Sequence, residues 1–338
     1  MKNTEKIKIV CDGFGGDNAP CEIVMGAFLA LKANPDIDII MTGDEQKLLN
    51  VFKDNNIAKP DNFTIIHTDE IVENEDDPIW AIRNKKNSSM VKAMEIVAAK
   101  EGDAFVSAGS TGAVLTGATL IIKRIKGVKR AALAPIVPTI KGKAVIIDVG
   151  ATAECKPEFL AQFAVMGSIY AKNILGVKEP KAGLINIGTE EHKGTETVVE
   201  SFNLLKETKN INFIGNIEAR DILKGEAEVL VADGWTGNIV LKTLEGTAGT
   251  LMYFLKGIFM ANAVSKIAAL LLKKGLAEFK KKFDHKETGG APLLGLNAPV
   301  IKAHGSSDRK AYKNAILFAA SFCENKVCET IAENITKE

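Results

Sequence analysis

Histidine, tryptophan and tyrosine are scarce in this 338-residue chain, with 4, 2 and 3 residues, and its five cysteines show no CxxC spacing. Cys11, Cys21, Cys155, Cys323 and Cys328 stand mostly in apolar surroundings. They read as reduced thiols, neither a disulfide framework nor a metal cluster. An excess of one charge sign is also missing: 43 basic against 42 acidic residues leave a formal +1. That balance excludes wholesale binding to nucleic acid, so any basic surface must be local. No apolar run reaches the roughly eighteen residues needed to cross a bilayer. Met1 to Val10 has neither the apolar core nor the small-residue cleavage site of a secretory signal, and a cytoplasmic location is expected.

What is present is a rhythm. Short apolar runs end in Gly, Ser, Asn or Asp and give way to helical patterns, the alternation of a mostly parallel sheet flanked by helices. Strands are expected at Ile7 to Cys11, Ile37 to Thr42, Ala104 to Ser107, Ala144 to Asp148, Ala182 to Ile187, Phe213 to Gly215 and Val229 to Ala232. Helices are expected at Cys21 to Ala33, Asp44 to Asn55, Ser88 to Lys100, Ala113 to Ile125, Pro157 to Leu175, Gly194 to Glu207, Thr236 to Met260 and Asp308 to Asn334. Without repeats or linkers, residues 1–338 read as one two-lobed α/β unit.

Chemistry concentrates in the loops. The first, Asp12-Gly13-Phe14-Gly15-Gly16-Asp17-Asn18-Ala19-Pro20, joins a strand to a helix, and its glycines let backbone amides approach a ligand. A dinucleotide fold would use GxGxxG; here GxGG is followed at once by Asp17, whose carboxylate would repel a pyrophosphate. The second, Ser107-Ala108-Gly109-Ser110-Thr111-Gly112-Ala113, sets two hydroxyls among glycines at the start of a helix, an arrangement suited to a tetrahedral anion. Helix capping accounts for one hydroxyl but not for both. Further strand ends deliver Asp148, Asn186 with Glu190, Asn216 with Glu218, and Asp233 with Asn238. In an open α/β sheet such groups line one crevice. The last constellation, His304-Gly305-Ser306-Ser307-Asp308, offers an acid or base in His304 and an oxyanion donor in Ser306, with Ser307 or Asp308 as rival helix caps. Arg83 and Lys86 could supply positive charge, or could belong to a solvated loop.

Residues 251–290 depart from the rhythm. Tyr253, Phe254, Ile258, Phe259 and Ile267 alternate with Lys256, Lys266, Lys273, Lys274 and Lys280 to Lys282. This protruding amphipathic segment suits an interface helix on anionic lipid, a hairpin against a partner subunit, or ordinary packing with solvated lysines.

Taken together, the Asp12 loop, Ala81 to Met90, Ser107 to Ala113, Asp148 to Ser168, Asn186 to Glu191, Gly215 to Asn238 and Gly289 to Asp308 resemble the phosphate acyltransferase family of bacterial phospholipid synthesis. Phe14, Ala151 and Trp235 depart from its usual residues. The resemblance implies a fold like isopropylmalate dehydrogenase and phosphotransacetylase, a homodimer, and peripheral association with the inner face of the cell membrane. It also implies acyl transfer from acyl-acyl carrier protein to inorganic phosphate, with no cofactor or metal. The acyl phosphate would pass to a membrane glycerol-phosphate acyltransferase. On that reading Gly15, Gly16, Asp17, Arg83, Lys86, Ser110, Thr111, Asn186, Asn216 and Glu218 surround substrate and phosphate. His304 and Ser306 face the carbonyl, and Asp233, Asn238 or His304 steers the thiol. The acidic carrier protein would dock on Lys123 to Arg130 or on the lysines after Lys266. The alternatives are a phosphotransacetylase-type enzyme using acyl-coenzyme A, a nicotinamide dehydrogenase on the same fold, and a non-enzymatic membrane adaptor.

Overall fold

Ala104–Ser107 is buried at all four positions, as a strand covered on both faces must be. The computed structural model describes residues 6–283 and 285–335; the remaining positions of the expected unit, and the side chains of Lys280, Phe283 and His285, lie outside that description. The described strands are β1 (Ile7–Asp12), β2 (Ile37–Gly43), β3 (Phe63–His67), β4 (Ala104–Ser107), β5 (Ala132–Leu133), β6 (Ile136–Thr139), β7 (Gly142–Ile147), β8 (Lys181–Asn186), β9 (Asn212–Glu218), β10 (Val229–Val231), β11 (Ala291–Leu294) and β12 (Val300–Lys302). The helices are α1 (Cys21–Ala33), α2 (Glu45–Asp54), α3 (Pro78–Asn84), α4 (Ser89–Ala98), α5 (Thr111–Gly117), α6 (Pro157–Leu175), α7 (Glu196–Glu207), α8 (Gly234–Met260), α9 (Ala263–Leu271), α10 (Lys273–Phe283), α11 (Arg309–Glu324) and α12 (Val327–Ile335).

Two sheets result. The first has the order β3-β2-β1-β4-β12-β11-β5 and the second β6-β7-β10-β8-β9. Pairing is parallel except at β11, antiparallel to both neighbours, and at β6 against β7. The second sheet is inserted in the chain between β5 and β11, so β12 returns late to slot between β4 and β11. A single buried cluster runs through both lobes, from Ile9 and Val106 of the first sheet to Val145 and Val229 of the second, bridged by Phe163 of α6 and Ile316 of α11.

Each expected strand is present. Two expected helices are interrupted. The pattern over Ala113 to Ile125 starts at Thr111 and widens into a π turn at Ala118–Ile122. The Asp308 to Asn334 pattern breaks between α11 and α12, where Lys326 takes a left-handed φ of 49°. Residues 251–283 form the outer part of α8 followed by α9 and α10, with Asn262 capping α9 through Ser265 N–H at 2.9 Å. The only buried residues of α8 are Gly234 and Gly237 at its base. Beyond Leu244 the arm carries exposed Tyr253, Phe254, Ile258, Ile267 and Leu271. No helix among the described residues is long and apolar enough to cross a membrane.

Candidate active site

The chain runs from β1 to β2 on one side while β4 lies on the other, so the strand order turns between β1 and β4. That switch point is where an open α/β sheet places its ligand crevice. Asp12 and Ser107 end the two strands, and their side chains meet. The Asp12 carboxylate accepts Ser89 Oγ at 2.6 Å, Ser107 Oγ at 2.8 Å and Phe14 N–H at 3.3 Å, and it also takes the Gly15 N–H. Burial pushes this carboxyl above its ordinary range, against the pull of those donors.

Asp12 therefore fixes the first loop. The Gly15 amide, expected to face phosphate, is turned inward onto that carboxylate. A side chain at Gly15 would stand 2.7 Å from Gly109 N, so only glycine lets the first and second loops touch. Gly16 takes φ +102°, after which Asp17 N–H donates to Gly305 O at 2.9 Å. Asn18 Nδ2 donates to the Ser306 and Ser307 carbonyls, each at 3.2 Å. Three loops distant in sequence are thus locked into one edge.

Hydroxyls and one imidazole are left at or near the surface of this edge. Ser110 holds the N-cap position of α5, yet its hydroxyl makes no capping bond, and Thr111 beside it is exposed. His304 and Ser306 are exposed. His304 Nδ1 lies 2.9 Å from Ser306 Oγ and 3.2 Å from Ser306 N. A backbone N–H can only donate, so Nδ1 is the acceptor and the neutral ring carries its proton on Nε2. Ser307 is buried, donating to His304 O at 2.6 Å, and Asp308 caps α11 through Ala311 N–H at 2.9 Å. Lys286, 2.6 Å away, holds the Asp308 carboxyl below the usual range.

The remaining expected residues stand on and after α3, at the ends of β7, β8 and β9, and at the base of α8. Helix α3 packs along α5, with Pro78 against Gly112 and Ile82 against Gly117. Arg83 is exposed, and Lys86 Nζ turns back to Ile82 O at 3.2 Å. Asn186 spans its own loop, donating to Lys193 O at 3.0 Å and accepting Ile187 N–H at 2.7 Å. Asn216 donates to Glu190 O at 2.9 Å, and Glu218 pairs with Arg220 at 3.0 Å. Asp233 is the N-cap of α8, accepting both Thr236 N–H and Thr236 Oγ1, while Asn238 is exposed one turn further on. Asp148 is buried and accepts N–H groups from Leu133, Ala151 and Thr152 at 2.8, 3.1 and 2.7 Å, tying the second sheet to the first. Burial raises its carboxyl too.

Between the lobes Thr111, Val114, Leu115, Leu133, Ala151, Leu293 and Lys302 enclose about 10 Å³, enough for roughly one water. Lys302 and Asp12 carry no role in the sequence reading. The available signal was a charge interrupting the apolar Ala298 to Ala303 run and an acid closing the first strand.

This geometry defines an α/β protein whose three polar loops meet at the switch point of its first sheet. The fold is shared with a phosphotransacetylase from Streptococcus pyogenes at a TM-score of 0.64 and 20% identity, covering 94% of each chain. It is also shared with a branched-chain phosphotransacylase from Enterococcus faecalis at 0.59 and 13%, covering 94% of this chain and 99% of the other. Residues 7–330 match the family described as fatty acid synthesis protein, and the chain belongs to it. Its relatives include the phosphate acyltransferases of Alkaliphilus oremlandii, 51% identical over 98% of both chains, and of Bacillus subtilis, 44% identical over 98% of this chain and 99% of the relative. The chain is an acyltransferase.

Proposed function

We propose that the chain transfers a fatty acyl group from acyl-acyl carrier protein to inorganic phosphate, releasing acyl phosphate for phospholipid synthesis. The observation that carries this reading is the interlocking of the Gly16, Ser110-Thr111 and His304-Ser306 loops at the switch point, with the Ser110 hydroxyl not used by its helix. In the mechanism, Ser110, Thr111 and the Gly16 amide hold phosphate. One phosphate oxygen attacks the thioester carbon, and the carbonyl oxygen takes negative charge near the His304 loop, where His304 Nε2–H and Ser306 offer donors. The C–S bond then breaks and the thiolate leaves, accepting a proton. Phosphate is partly dianionic near neutrality, so positioning matters more than a strong base. No covalent enzyme intermediate is required.

The acidic carrier would dock on exposed Lys123, Arg124, Lys126, Lys129 and Arg130. The apolar α8–α10 arm suits a second copy of the chain and the inner membrane surface, which would bring the product to a membrane glycerol-phosphate acyltransferase. Phosphate-dependent thiol release, measured with acyl-carrier and acyl-coenzyme A donors side by side, tests the donor. A preference for coenzyme A would transfer the reading to the phosphotransacetylase type. Flotation with anionic liposomes tests the arm: Phe254→Ser with Phe259→Ser should abolish it, and unchanged flotation would remove the membrane proposal.

A further inference from the structure

A dianion held only by Ser110, Thr111 and the Gly16 amide would meet neutral donors, with the carboxylates of Asp12 and Asp17 close by and of the wrong sign. Arg83 is exposed to solvent, and Lys86 Nζ is turned back onto Ile82 O. We infer that Lys302 is the residue that binds the attacking phosphate, its ammonium supplying the positive charge at the junction of the three loops. This rests on phosphate being the nucleophile.

Placement is the first support. Lys302 is the only lysine or arginine buried among the described residues. Taking an ammonium out of water is costly, and the loop carbonyls and acids around this one offset only part of that cost. Register is the second. Lys302 pairs with Ser107, so its backbone lies level with the start of the second loop. Its neighbour Ile301 faces one core cluster and Val300 the other, which sets the Lys302 stem on the α5 side, where it lines the interlobe pocket with Thr111 and Leu293. Donor count is the third. Nζ donates to Ala108 O at 3.5 Å and to Ala303 O, both carbonyls of the loops themselves. An ammonium has three N–H groups, which leaves one for a ligand. Burial pulls this amine down to about 8, with Asp17 and Asp12 raising it and Lys242 of α8 lowering it. It is therefore still mainly a cation at neutral pH, and a bound dianion would favour that form further.

The test varies phosphate at saturating acyl-carrier donor for wild type, Lys302→Met and Lys302→Arg, with phosphate-induced thermal stabilisation read separately without donor. Lys302→Met should raise the phosphate KM about thirtyfold, the worth of a charge-assisted hydrogen bond, leave the donor KM within about twofold, and abolish the phosphate-induced shift. Lys302→Arg keeps the charge and should recover part of the phosphate affinity. A phosphate KM within about twofold of wild type in Lys302→Met, or a fall in kcat alone, would overturn the assignment. If Lys302→Met does not melt cooperatively, wild type decides: its phosphate-induced stabilisation should weaken as pH rises through about 8. Constant stabilisation from neutral to alkaline pH would refute the role. A wild type that releases no thiol in response to phosphate would instead defeat the functional reading, whatever Lys302 does.

Discussion

The two sheets end in loops of opposite character. At the first, the residues that follow β1, β4 and β12 bond to one another across hundreds of positions in sequence, and they enclose a buried acid and a buried base. At the second, Asn186, Glu218 and Asp233 spend their hydrogen bonds within a few residues of themselves. Polar groups satisfied locally shape a loop; polar groups satisfied across loops build a rigid surface whose remaining donors can be aimed at a ligand. The second lobe contributes mainly a wall, held by Asp148 through the Leu133 amide.

The largest effect that would sharpen this contrast is at Ser110 and Thr111. Replacing both by alanine should lower kcat/KM for phosphate at least about a hundredfold, the scale for removing preorganised donors to a developing charge. Steady-state kinetics checks it, and near-normal activity would break the comparison at its centre. His304→Ala should cost about a hundredfold in kcat by the same assay, the low end for a proton-transfer or polarising group.

Gly237→Ala attacks the wall instead. Its new Cβ would stand 1.9 Å from Asp148 O, so the base of α8 must shift. Thermal unfolding should report a loss of about 1–3 kcal/mol, typical of overpacking.

Lys302→Met should stabilise the fold, because the wild-type amine titrates near 8 in the fold against a reference of 10.5. The sign follows from proton counts. Between those values the unfolded chain holds the proton and the folded chain does not, so wild-type stability rises with pH there. The advantage of Lys302→Met, up to about 3 kcal/mol, is thus full below pH 8 and fades toward 10.5; melting curves across that range decide it. The smallest effect belongs to Asn186→Ala. Activity within about threefold is expected, because this side chain shapes only its own loop; a hundredfold loss would move the site onto the second sheet.

The sequence was most informative where one segment carries the whole signal. The β1–loop–α1 and β4–loop–α5 units were legible from apolar runs, glycines and hydroxyls, as were most helices. Short or antiparallel strands such as β5 and β6 were not, since two to four residues hold no period. The capping role of Asp308 stood as an open alternative, because a carboxylate before a helix reads the same whether it caps or binds. Lys302 and the inward turn of Gly15 were beyond reach for a further reason: both depend on which loops become neighbours, and strand order is not written in local pattern.

The slot occupied by β12 has a consequence for assembly of the nascent protein. Because that strand wedges between β4 and β11 after the entire second lobe has been made, synthesis from the amino end produces both early loops long before their closing partner exists. A ribosome-bound chain ending short of Val300 would own the glycines and the hydroxyls but not the lysine or the histidine. Ligand-binding competence would thus wait until translation has passed His304, through contacts of very long sequence separation that are slow to form.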